Sequence, residues 1–152
     1  MDRHTGIDSS VGPLTLTERD GAIVAVTWAR CAEIADTTVL MQAVAELRAY
    51  FAGELTAFTM TLRVDGSPFQ QDVCAAISAI PFGETRTYGE IAKALGQSAQ
   101  AVGRACGANP IPILIPCHRV MGAKGLTGFS GAGGVETKVA LLRHEGAASL
   151  LI

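Results

Sequence analysis

Thr87-Tyr88-Gly89-Glu90-Ile91-Ala92-Lys93-Ala94-Leu95-Gly96-Gln97-Ser98-Ala99-Gln100-Ala101-Val102-Gly103-Arg104-Ala105-Cys106-Gly107 carries two helix starts and two helix stops. Thr87 and Glu90 form a capping-box pattern, in which hydroxyl and carboxylate satisfy each other's orphan backbone donors. Gly96 ends that helix, Ser98 can cap a second, and Asn109-Pro110 breaks it. The layout is a helix-turn-helix, although the same pattern also suits two ordinary packed helices. Composition favours a nucleic-acid role. The second helix is nearly all alanine and glycine, which lets a backbone approach a partner closely, as the minor groove of roughly 6 Å demands. Gln100 and Arg104 lie four apart and share one face.

Downstream, Ile111-Pro112-Ile113-Leu114-Ile115-Pro116 is an apolar, proline-bounded run that should be buried and rigid, and it delivers Cys117-His118-Arg119 at its end. A lone free cysteine in a core is most often only packed there. His118 offers the alternative, an imidazole able to take a proton from a thiol whose reactive form is the thiolate. Adjacent residues need not face each other, so the pair alone is a weak signal.

Upstream, Ser67-Pro68 starts a helix with Phe69, Val73, Ile77 and Ile80 on one face, ended by Pro81-Phe82-Gly83. Before the Asp65-Gly66 turn, Leu14 to Trp28 reads as a hairpin around Asp20-Gly21, and Thr37 or Thr38 caps a helix with Leu40, Val44, Leu47 and Phe51 at helical spacing. Residues 55–64 alternate like a third strand. The expected fold is α+β: a small amino-terminal unit over residues 1–66, with nothing that looks catalytic, and a mainly helical domain over residues 67–152 containing the helix-turn-helix.

With 152 residues, 49% of them hydrophobic, the chain can bury a real core. No stretch approaches the roughly 20 apolar residues of a membrane helix, and the amino end has no signal-peptide core, so a cytoplasmic location is expected. The cysteines at 31, 74, 106 and 117 form no Cys-x-x-Cys pair, which suggests free thiols, with no metal and no cofactor. The net charge of -2 is uneven. Residues 84–124 hold Arg86, Lys93, Arg104, Arg119 and Lys124 against only Glu84 and Glu90, a local basic surface compatible with DNA phosphates.

Asn109-Pro110-Ile111-Pro112-Ile113-Leu114-Ile115-Pro116-Cys117-His118-Arg119-Val120 closely resembles the active-site signature of the O6-alkylguanine-DNA alkyltransferases. Phe69 with Ile80-Pro81, Gly83-Glu84-Thr85, Thr87 to Ala92, Ala101-Val102-Gly103, Gly128-Phe129-Ser130-Gly131 and Leu141 to Gly146 follow in family order, so the resemblance spans residues 68–146. It implies stoichiometric direct-reversal repair of double-stranded DNA containing O6-alkylguanine by a monomer. Cys117 would accept the alkyl group, His118 would act as its base through a water, and Glu145 would orient His118. Asn109 would tie the recognition helix to the active-site run, and Tyr88 would help guanine leave. Val120, Ser130 and Phe129 would line the guanine site. Ala99, Gln100, Ala101, Gly103, Arg104 and Arg119 would meet DNA. A soft thiolate displacing guanine from a saturated carbon leaves a thioether that water cannot open, so the protein should react once. The target base must first be rotated out of the duplex, at a few kcal/mol.

The chain departs from the family pattern in four places. Gln100 stands at the position of the arginine that usually fills the space of the flipped base, and Arg104 could supply the missing charge. Cys74 replaces a frequent tryptophan, Phe129 stands where some members have tyrosine, and Ser130 to Gly134 is a longer loop. Three alternatives remain on sequence grounds. A non-repairing relative that only flags damage would lack the acceptor cysteine, a cysteine hydrolase would need an oxyanion hole, and a helix-turn-helix regulator would consume no thiol.

Overall fold

The computed structural model describes residues 2–122 and 134–147. Strands β1 (Asp2–Ser9), β2 (Gly12–Arg19) and β3 (Ala22–Thr27) form an antiparallel sheet in that order. The β2–β3 turn is made by Asp20 at φ 50° and Gly21 at φ 82°, the left-handed pair that matches the twist of a two-residue hairpin. The third strand is therefore β1 and not residues 55–64. From that segment only Leu62 bridges to Ile23, held by Ile23 N–H to Thr61 O at 2.9 Å and Arg63 N–H to Ile23 O at 3.0 Å. The amino-terminal strand does not show in the sequence because Ile7 is the one strongly apolar residue of β1, which gives no alternation to detect.

Helix α1 (Thr38–Phe51) starts at Thr37, whose side chain accepts the Leu40 N–H. Leu40, Ala43, Leu47 and Tyr50 are almost completely buried, joining Leu14, Leu16 and Ile23 in one core. Burying each such leucine contributes roughly 1.5–3 kcal/mol. Val44 and Phe51, expected on that stripe, are only partly buried, so the buried face is rotated by one position and brings Tyr50 inward.

Helix α2 (Pro68–Ser78) has Ser67 as its cap and proline in its first turn. Then come strand β4 (Arg86–Thr87), helix α3 (Tyr88–Leu95), helix α4 (Ala99–Gly107), a 3-10 turn at Cys117–Arg119, strand β5 (Val120–Met121) and helix α5 (Val135–His144). Both halves of the capping box are made at Thr87 and Glu90, and Gly96 adopts φ 65° where α3 ends. The helix-turn-helix is thus as expected. Gln70 Nε2 donates to Ala105 O at 2.9 Å and ties α2 to α4, while Val26 N–H donates to Pro110 O at 3.0 Å and ties the sheet to the apolar run. No helix among the described residues is long and apolar enough to cross a membrane.

Candidate active site

Residues 111–116 place Cys117, and Asn109 shapes them. Its Nδ2 donates to Ile115 O at 2.9 Å and its Oδ1 accepts the Ile111 N–H at 2.9 Å, so one side chain closes the loop from both ends. Ile113 sits at φ 72°, a left-handed conformation that costs a β-branched residue about 1–3 kcal/mol and survives only where the surroundings dictate it. Here Ile113 is 1% exposed, inside that clamp. Pro116, at φ -80° and ψ 65°, makes an inverse γ-turn closed by Cys117 N–H to Ile115 O at 2.7 Å. The turn leaves Cys117 at a defined, buried position.

Glu145, one residue beyond α5, is the hub behind it. His118 Nε2 lies 2.7 Å from Glu145 Oε2, and Arg119 grips the carboxylate with Nε to Oε1 at 2.8 Å and Nη2 to Oε2 at 2.9 Å. The Tyr50 hydroxyl donates to Oε2 at 2.6 Å. Burial opposes the charge, but the donors from His118, Arg119 and Tyr50 prevail and hold the carboxyl down at about 2. Glu145 is therefore an anion, and His118 Nε2 must carry the hydrogen it shares. Burial also drives the His118 pKa below its ordinary value, so the resting ring is neutral. Its remaining nitrogen, Nδ1, has no hydrogen-bond partner among the described residues, and is the atom with a lone pair ready for a proton.

Burial likewise pushes the Cys117 thiol up, against the pull of an Asn109 hydrogen bond and the charge of Lys138. The resting pair is a thiol and a neutral base. Lys138 is fully buried, and its Nζ donates to Val120 O. Burial lowers its pKa, while Cys117 and Cys106 act in the opposite sense. Positive charge on Lys138 favours the Cys117 thiolate as it forms.

Cys117, His118, Asn109, Glu145 and Val120 are all buried and share this centre. Tyr88 begins α3, half-buried, directly after β4, which pairs in parallel with β5 (Arg86 with Val120, Thr87 with Met121). That pairing brings the start of the helix-turn-helix beside the cysteine turn. Ala99, Gln100 and Arg104 are exposed, and Ala101 and Gly103 half-buried, on the side of α4 opposite buried Val102, Ala105 and Cys106. A side chain at Gly103 or Gly107 would meet nothing within 4 Å, so neither glycine is required by packing inside the protein. Arg119 corrects an expectation: it is 6% exposed, with its guanidinium spent on Glu145 and on Ile80 O at 2.7 Å, so it is not available to DNA. Cys74 is in the core, 2% exposed. Ser130, Phe129 and the loop to Gly133 lie outside the described residues.

Two contributors were missed. Tyr50 reads as one more core residue of α1, although a buried tyrosine hydroxyl usually finds a partner. Lys138 precedes Glu145 by seven positions, two helical turns, and so faces the same way, but nothing marks a single lysine in a polar helix as buried.

The family model described as 6-O-methylguanine DNA methyltransferase, DNA binding domain, matches residues 68–147, and that described as its ribonuclease-like domain matches residues 3–64. The methylated-DNA–protein-cysteine methyltransferase of Mycobacterium tuberculosis (strain ATCC 25618 / H37Rv) is 45% identical over 155 residues, covering 95% of this chain and 93% of the relative. A crystal structure of Mycobacterium tuberculosis O6-methylguanine methyltransferase superposes with a TM-score of 0.86 at 42% identity, covering 100% of this chain and 97% of that one. The crystal structure of Mycobacterium tuberculosis OGT in complex with DNA gives 0.84 at 46% identity, over 95% and 92% of the two chains.

Proposed function

The chain belongs to the 6-O-methylguanine DNA methyltransferase family, and from that premise we propose how its residues divide the work of the reaction. The protein repairs DNA by direct reversal, moving the alkyl group from O6 of guanine to one of its own cysteines. Its partner is DNA carrying that lesion. The acceptor is Cys117. The observation that carries this assignment is the fully buried 2.7 Å contact between Glu145 and His118, the residue immediately after it.

Cys117 gives its proton, through one water, to His118 Nδ1, and Sγ attacks the alkyl carbon in line. The carbon–sulfur bond forms as the carbon–O6 bond breaks, and its electron pair leaves on guanine. Guanine departs neutral by taking the Tyr88 hydroxyl proton, which solvent replaces, while His118 returns the cysteine's proton to solvent. Glu145 keeps the ring oriented and stabilises its charged form, as the acid of a catalytic triad does. Lys138 favours the developing thiolate. The product thioether has no carbonyl for water to attack, so each protein acts once.

The surface of α4 enters the minor groove of the DNA. Glycine in a helix interior costs about 1 kcal/mol relative to alanine, and Gly103, with no packing reason to be glycine, suits close approach to a backbone. Gln100 fills the space of the flipped base and Arg104 contacts phosphate. Residues 1–66 and 67–152 act as two domains, with α4 and the acceptor in the second. A cytoplasmic, monomeric protein fits this role.

Incubation with excess duplex containing O6-methylguanine tests the reading. Repaired base should plateau at one per protein, and Cys117→Ala should repair nothing while still binding the duplex. Continued turnover, or repair by Cys117→Ala, would refute it. Gln100→Ala should slow repair; an unchanged rate and affinity would remove Gln100 from the flipping step.

A further inference from the structure

We propose that Tyr50, in the amino-terminal helix α1, is a positioning residue for alkyl transfer: its hydroxyl fixes the Glu145 carboxylate and, through it, the His118 ring. This rests on the repair function above. Tyr50 is 1% exposed and lies 95 positions from Glu145 in the chain, so the contact exists only because the two halves pack together.

Tyr50 grips the end of α5 at two points. Its hydroxyl donates to Glu145 Oε2 at 2.6 Å, and its backbone carbonyl accepts from His144 Nε2 at 2.6 Å. The ring itself is held among aromatic neighbours, with centroids 5.0 Å from Phe51, 5.3 Å from Phe58 and 6.2 Å from Phe82. Phenylalanine would satisfy that packing. A hydroxyl in such a place is costly unless partnered, and its partner here is the one anion that orients the base.

The choice of oxygen matters. Oε2 accepts from Tyr50 and from His118 Nε2, so the two donors draw on the same lone-pair density. With Tyr50 in place the carboxylate is a weaker acceptor for His118, and the imidazolium is stabilised less. Tyr50 thereby limits the basicity of His118 as well as its orientation. Among the described residues, the other titratable or charged groups facing this centre are Cys117 and Arg119 from the 3-10 turn, Lys138 and His144 from α5, Cys106 from α4 and Cys74 from α2. Burial and the Glu145 charge keep the Tyr50 phenol protonated well above its ordinary range, so it donates throughout the working range of pH.

The test is the pH profile of single-turnover alkyl transfer from O6-methylguanine duplex. For Tyr50→Phe the rate should fall roughly tenfold, and the acid limb should move up by about half a pH unit, because Oε2 is left to His118 and Arg119. Duplex affinity should stay unchanged. Phe58→Leu loosens the same aromatic cluster without touching a donor, and its acid limb should stay in place. A 3-fluorotyrosine at position 50, a stronger donor of the same shape, should move the limb down and decides the matter even if Tyr50→Phe does not fold. Coincident acid limbs for the wild-type and Tyr50→Phe proteins, an equal shift in Phe58→Leu, or an unmoved limb with 3-fluorotyrosine would each overturn the proposal and leave the repair function intact. A wild-type protein that transfers nothing would overturn both.

Discussion

Around Arg19 in the sheet and around Glu145 at the end of α5, the protein builds two ionic networks of similar connectivity. Arg19 takes both oxygens of Asp2, at 2.7 and 2.8 Å, and reaches Asp65 at 2.9 Å, which Arg63 holds at 2.8 Å. Glu145 takes Arg119 on both oxygens and adds His118 and Tyr50. The difference is depth: side chains around Arg19 are 35–44% exposed, whereas those of His118, Glu145 and Arg119 are 0–7% exposed. In water the ions are exchangeable and screened. Out of water each donor is indispensable to the others, because an unpaired buried charge is far more costly than a missing surface pair. The amino-terminal network ties strands together, while the buried one holds the imidazole of His118, the proposed base.

Glu145→Gln probes the contrast hardest. It leaves Arg119 buried without its anion and should cost about 3–5 kcal/mol in denaturant unfolding, and alkyl transfer should slow by at least about 10²-fold. Stability that ignored this substitution would mean that the buried network is no more than the surface one.

Acid comes next. Glu145, held at about 2, contributes stability that is complete above the ordinary carboxylate range of about 4.3 and is lost as pH falls towards 2. Glu145→Gln should flatten that part of a stability–pH curve. In the proposed mechanism transfer requires neutral His118, whose pKa is lowered by burial, so the rate should hold steady through the ordinary histidine value of about 6.5 and fall only below it. A fall centred at or above about 6.5 would show that burial does not control the ring.

Arg119→Lys should have a smaller effect. A lysine cannot span both oxygens of Glu145 and reach Ile80 O, so transfer should slow by about tenfold in a folded protein, measured in the same single-turnover assay. Arg19→Ala should do least: an unchanged transfer rate, and a small shift in the unfolding midpoint that shrinks as salt is added. A transfer defect there would break the distinction between the two networks.

What could be read from the sequence follows the same division. The capping box, the Ser67 and Ser98 caps, the Asp20-Gly21 turn and the run into Cys117 are local chemistry, and all appear where expected. Strand β1 was invisible because a lone apolar anchor gives no alternation to detect. Tyr50 and Lys138 escaped notice for another reason: their roles come from contacts across the fold, with Glu145 and with the carbonyl of Val120, and no local pattern encodes those. Arg119 was misplaced for the same reason. In a basic stretch it looks like a DNA contact, and only the position of Glu145 in space turns it inward.

In the proposed mechanism the buried centre activates Cys117 among four free cysteines. Peptide mass spectrometry after one round of reaction with O6-methylguanine duplex tests it directly. One methyl group should be added per protein, on the peptide containing Cys117, with Cys31, Cys74 and Cys106 unmodified. A methyl group on any of those three, or an unmodified protein beside repaired DNA, would contradict it.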